Sequence, residues 1–205
     1  MSRQTTLLTS HKGVDLHAAT AVRVMRERLE GGDRLQRLHR CELHTFADEP
    51  EGVSMARLLD NGRFFNPNKH HYGHFVLEEA APWSDTAGGA LDSRWPGALR
   101  GTDVANLADD AATLYASLLG GPLPDGCLAV DVATWARDQQ GPVFSGVLWR
   151  LVLRAGADAA ATLGETLAVT RERKRGLLLN PHMDAWLTVV RDRPRAATTP
   201  TPEQR

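Results

Sequence analysis

Apolar and polar positions change period several times along the first eighty residues. Thr5 to Thr9 is short and β-compatible. Leu16, Ala19, Val22, Val24 and Leu29 then recur at roughly helical spacing, with Arg23, Arg26, Glu27 and Arg28 on the polar side. Asp15 stands where an N-cap belongs, and Gly31-Gly32 predicts the stop. From Leu35 to Phe46 the pattern alternates. Leu38, Arg40, Glu42 and His44 share one face, and His39, Cys41, Leu43 and Thr45 the other, as in a half-buried strand. Asp48 to Gly52 reads as a turn, Val53 to Asn61 as a short helix ending near Gly62, and His71 to Glu79 as a strand. The order β-α-β-α-β folds most simply as antiparallel strands with helices on one face.

Residues 80–101 break this pattern. Pro82, Pro96 and Ala87-Gly88-Gly89-Ala90 predict a linker, with Trp83 and Trp95 pinning it to a surface. Asp103 is placed to cap a helix to about Leu119, which Gly120-Gly121-Pro122 ends. Cys127 to Ala133 is strand-like. Val147 to Arg154 alternates as a strand with one face more buried. Asp158 to Arg175 reads as an alanine-rich helix, Trp186 to Val190 as a closing strand, and 194–205 as a disordered tail.

One phrase occurs twice. Leu58-Leu59-Asp60-Asn61 leads to Asn66-Pro67 and then Tyr72; Leu177-Leu178-Leu179 leads to Asn180-Pro181 and then Trp186. Each copy is expected to run from a helix through Asn-Pro into a strand, since proline disfavours a helical residue before it. Together with Lys12-Gly13-Val14-Asp15 ahead of the first helix, these phrases resemble the PurS-type small subunit of phosphoribosylformylglycinamidine synthase. Leu178-Leu179-Asn180-Pro181 and Trp186 nearly reproduce that family's phrase, whereas Gly62 to Phe65 interrupt the first copy.

The resemblance implies an α+β fold of two ferredoxin-like, PurS-like halves with antiparallel sheets and helices on one face. The first half covers residues 1–79, the linker 80–101 and a diverged second half 102–193. That second half departs from the family in front, where the helix at Asp103 precedes the strand at Cys127. The function implied is a non-catalytic accessory subunit in purine or purine-like nucleoside biosynthesis. It would bridge a large ATP-dependent synthetase and a glutaminase, and two copies could form a homodimer. Asn66, Pro67, Asn180 and Pro181 are the expected partner contacts; their alternative role is to stop one element and turn into the next.

Composition narrows the classes. A net charge of -1 over 205 residues gives no reason to expect nucleic acid or an anionic membrane as main partner. Positive charge is nearly all arginine, the lysines being Lys12, Lys69 and Lys174. Cys41 and Cys127 have no metal-ligand spacing, so a disulfide framework is not expected and a reducing cytoplasm fits. The opening residues do not read as a signal peptide.

The sharpest chemical cluster is His70, His71 and His74, with His44 on a strand expected nearby. Neutral imidazoles ligate zinc or nickel, which makes a small metal-dependent enzyme the competing function. A polar strand start explains the same residues. Arg63 with Lys69, and Arg171-Glu172-Arg173-Lys174-Arg175, could hold an anion or simply be solvated; the second run reads as a helix end. Cys41 reads as a buried thiol, and Ser145 lacks the Gly-x-Ser-x-Gly elbow. No Gly-rich phosphate loop occurs, and no catalytic constellation is complete. Beyond a possible divalent metal, no cofactor is expected. A regulator with a small-molecule cleft between the halves is the third reading.

Overall fold

The computed structural model describes residues 3–46, 59–60, 62–78, 123–136 and 143–191. The elements are β1 (Arg3–His11), α1 (Leu16–Arg28), β2 (Leu35–Phe46), β3 (His70–Glu78), β4 (Leu128–Ala136), β5 (Val143–Leu153), α2 (Ala157–Ala168) and β6 (Asp184–Arg191). The strands form one six-stranded sheet in the order β3-β1-β2-β5-β4-β6. Every neighbouring pair is antiparallel. The fold class is therefore α+β. The linker 80–101, the helix expected from Asp103, most of the helix expected over Val53 to Asn61, and the tail lie outside the described residues.

Local chemistry accounts for the ends of α1. Asp15 Oδ1 accepts from the amides of His17 and Ala18, at 2.9 and 3.1 Å, satisfying donors that the first turn leaves unpaired. After Leu29 the chain reverses at Gly31, whose φ of 75° is costly for a side chain. Ala18, Ala21 and Met25 of α1 pack with Leu38, Trp149, Leu151, Val130 and Val132 of the sheet, and with Ala160 and Leu167 of α2. Both helices thus cover one face.

The other face is buried too. Leu8, Cys41, Leu43, Ala129, Leu148 and Val152 alternate with the helix-side residues, and each is at most 1% exposed. This corrects the expectation of one more-buried face on β5: Leu148, Arg150 and Val152 are as deep as Leu151 and Leu153.

A second correction concerns the helix expected over Asp158 to Arg175. α2 stops at Ala168. Val169 then bridges Leu179, and the Thr170 amide donates to the Leu179 carbonyl at 3.0 Å. The basic run 171–175 is a tight reversal, in which the Arg175 amide donates to the Glu172 carbonyl. β-Branched Val169 and Thr170 are poor helix formers, and Gly176 at φ 77° lets the chain fold back over Val169. Leu178 and Leu179 are accordingly not the end of a helix.

The strand order is palindromic, and the registers share its symmetry. Starting at Tyr72, the direct partners across the sheet are Thr9, Glu42, Val147, Thr134 and Trp186. That row begins at the aromatic following one Asn-Pro and ends at the aromatic following the other. Its centre is the Glu42–Val147 pair of the β2–β5 ladder. Exchanging β1 with β4, β2 with β5 and β3 with β6 about this pair, as a local two-fold axis would, leaves the strand order and this row of partners unchanged.

Candidate functional site

The two Asn-Pro turns have one design. In the first, Asn66 Oδ1 accepts from the Asn68 amide at 2.9 Å, and the Asn66 carbonyl accepts from the Lys69 and His70 amides at 3.0 and 2.8 Å. In the second, Asn180 Oδ1 accepts from the His182 amide at 3.0 Å, and its carbonyl accepts from Met183 and Asp184 at 3.0 and 2.8 Å. The asparagine amide N–H is held as well. It donates to His70 Nδ1 at 3.4 Å in the first turn and to Asp184 Oδ2 at 2.8 Å in the second. Asparagine is suited to the position because its side chain bonds its own backbone two residues on. Proline next to it fixes φ and gives up an amide that the turn does not use.

Each turn feeds an edge strand, the first β3 and the second β6. The first is tied to the end of β1: the Lys12 amide donates to the Lys69 carbonyl, and Lys12 Nζ donates to the Pro67 carbonyl at 2.7 Å. Exposed apolar side chains occur close in sequence to both turns or to the segment tied to them. Val14 and Leu16 follow Lys12; Tyr72 follows the first turn; Leu177 and Met183 flank the second. Among the described residues these five are the exposed large hydrophobic side chains, with Val14 at 78% and Met183 at 68%.

The histidines are distributed differently from expectation. His70 and Tyr72 lie on the helix-side face of β3, and His71 on the opposite face. The His70 ring meets His11 edge-on, 5.1 Å between centroids. Burial, then nearby His11, lowers the His70 pKa, which keeps Nδ1 free to accept from Asn66. Position 74 is opposite Leu7, and so is His44 from the other side, so a whole strand separates them. Among the described residues no three His, Cys, Asp or Glu side chains converge as metal ligands. Among the described side chains His44, His70 and His71 are thus not brought together as one set, and the side chain of His74 lies outside the described residues.

His44 has another neighbour, invisible in the sequence. It is opposite Ser145 in the β2–β5 ladder, with Nδ1 2.9 Å from the serine Oγ, and its ring packs on Phe64 at 4.9 Å. Burial lowers the His44 pKa against the opposing pull of Glu42, and Arg63 lowers it further. A neutral imidazole beside a hydroxyl can exchange a hydrogen bond in either direction.

Four more polar side chains, Arg150, Asp131, Cys41 and His39, complete the picture. Arg150 holds Asp131 through two bonds of 2.7 and 2.8 Å, with both side chains 2% exposed. Burial pushes the Cys41 thiol up to about 12, which fits an inert buried thiol. Burial, then Arg37 and Arg150, pulls His39 down to about 4. The basic run before the second Asn-Pro is partly spent on ion pairs: Arg175 meets Glu30 at 2.9 Å and Glu172 at 3.5 Å, and Arg171 meets Glu165 at 3.4 Å. No helix among the described residues is long and apolar enough to cross a membrane.

No protein-family model, no curated protein and no solved structure matches this chain.

Proposed function

We propose that the chain is a non-catalytic bridging subunit built from two PurS-like halves, serving a glutamine-dependent amidotransferase in purine or purine-like nucleoside synthesis. One observation carries this reading. The two Asn-Pro turns share one hydrogen-bond pattern, lead into the two edge strands of the sheet, and have the exposed apolar side chains close to them in sequence. Two related patches on one rigid sheet suit a part that holds two larger proteins. On this reading the chain supplies position and its partners supply the chemistry. Asn66, Pro67, Asn180 and Pro181 form the rigid centres of the contacts, and Val14, Leu16, Tyr72, Leu177 and Met183 supply the apolar area.

The two patches differ in charge. Lys12 and Lys69 are bonded into the first turn, whereas acidic Asp184 closes the second. Different charge patterns select different partners.

Affinity capture of the full chain from its native cytosol, with mass spectrometry and metal analysis of the same sample, tests the proposal. Recovery of an ATP-dependent synthetase and a glutaminase supports it. Met183→Glu should then release one partner and Leu16→Glu the other, with both variants folded by circular dichroism. A chain recovered alone, or alone with stoichiometric zinc or nickel, overturns it.

A further inference from the structure

Ser145 and His44 stand opposite each other near the start of β5 and the end of β2, on the helix side of the sheet. The helices pack toward the other end of that ladder, over Leu38, Trp149 and Leu151. Ser145 is exposed, and His44 is half-buried against the ring of buried Phe64. Leu7 of β1 is opposite His44 on its other side, and Glu42 precedes it on the same face of β2. Arg63 lies over the Phe64 ring, 5.1 Å from its centroid, close enough to act on His44.

The pair has the parts of an activated nucleophile. His44 Nδ1 is 2.9 Å from Ser145 Oγ, within reach of the hydroxyl proton. Burial, against the opposing pull of Glu42, keeps the imidazole neutral at pH 7, the form that takes up a proton. Arg63 brings positive charge near the pair, where an oxyanion would develop. Both side chains stand on paired strands inside the sheet, which hold them more rigidly than a loop would.

We propose that Ser145 is a covalent acylation site, taking a small apolar acyl group from a thioester or other activated ester with His44 as the base. Ser145 Oγ bonds to the donor's carbonyl carbon, and the bond from that carbon to the leaving sulfur or oxygen breaks. The serine proton passes to His44 Nδ1 and from there to the leaving group. Phe64 and Leu7 suit an uncharged apolar acyl chain, whereas a phosphoryl dianion would be set against Glu42. Each chain takes one acyl group, so the site stands independently of the bridging role.

Incubation of the full chain with p-nitrophenyl acetate, followed by intact-mass measurement and peptide mapping, tests the site. One acetyl group per chain, on Ser145, is expected. His44→Gln should slow that labelling about a hundredfold, with the fold checked by circular dichroism. On the unchanged chain the rate should rise with pH through an inflection below 6.5, the titration of His44. That profile decides the matter should His44→Gln fail to fold. Acetyl groups on lysines with none on Ser145, an equal rate in His44→Gln, or a rate without the inflection overturns the proposal and leaves an ordinary cross-strand hydrogen bond.

Discussion

Asp131 and Arg150 face each other across the β4–β5 ladder on the sheet side away from the helices. A bidentate pair at this depth adds little net stability, because removing two charges from water offsets most of their attraction. Deleting one partner is another matter. Asp131→Ala is expected to cost about 3–5 kcal/mol in urea denaturation, since it leaves a buried guanidinium without its carboxylate. Replacing both, Asp131→Leu with Arg150→Met, should recover most of that loss.

His39 makes stability depend on pH. Its folded pKa is about 4 and its ordinary value 6.5. Between those values the unfolded chain binds a proton that the folded chain refuses, so stability rises with pH across that window. The stability it contributes is present above about 6.5 and lost as pH falls toward 4. Denaturation at pH 5 should give about 2 kcal/mol less than at pH 7 from this group. His39→Gln should flatten that part of the profile. The lowered pKa values of His44 and His70 act in the same direction.

At the scale of elements, the turns and helix seats decide the outcome. Asn180→Ala removes the bond from the His182 amide and should cost about 1 kcal/mol, and Asn66→Ala a similar amount. His70 and Asp184 accept the same N–H in the two turns, and the carboxylate bond is the shorter. His70→Asp should therefore tighten the first turn and raise its melting temperature. Gly164 of α2 illustrates competing magnitudes. Alanine there gains about 1 kcal/mol of helix propensity. Its Cβ, however, would sit 2.5 Å from Val130 Cγ1 and 3.0 Å from Val130 Cβ, and overpacking of this kind costs about 1–3 kcal/mol. Gly164→Ala should be net destabilising, read by thermal denaturation.

For the whole molecule, the β2–β5 ladder matters most. Severing the chain there would expose Leu38, Leu43, Leu148 and Leu151 along two new edges, each at most 7% exposed in the sheet. If the palindromic order reflects duplicated halves, a fragment of residues 1–79 should pair with itself through β2. The local axis would then be an exact two-fold, with Glu42 opposite Glu42 of the second copy. Like charges directly opposite one another are destabilising. Glu42→Val, which imitates Val147, should thus tighten the fragment dimer in analytical ultracentrifugation. A monomeric fragment would count against this view of the sheet.

The sequence by itself determined what depends on neighbours along the chain. Asp15 before an apolar helical period fixed the start of α1, and Gly31-Gly32 its end. Alternation fixed β2, and the two asparagines ahead of proline fixed both turns, down to the aromatic that follows each. These are local events, governed by backbone sterics and side-chain–backbone bonds within a few residues. Where the local signal was ambiguous, the reading went astray: alanine-rich periodicity carried α2 past Ala168, although Val169 and Thr170 already spoke against it.

Tertiary structure alone decided what depends on partners far along the chain. Nothing near position 44 identifies Ser145 as its neighbour. Nor does the alternation of β5 reveal that Arg150 is buried against Asp131, or that both sheet faces are covered. The strand period states which residues share a face; only the register across six strands states which face meets what. The same register separates His44 from position 74 and joins Tyr72 to Trp186 in a single row.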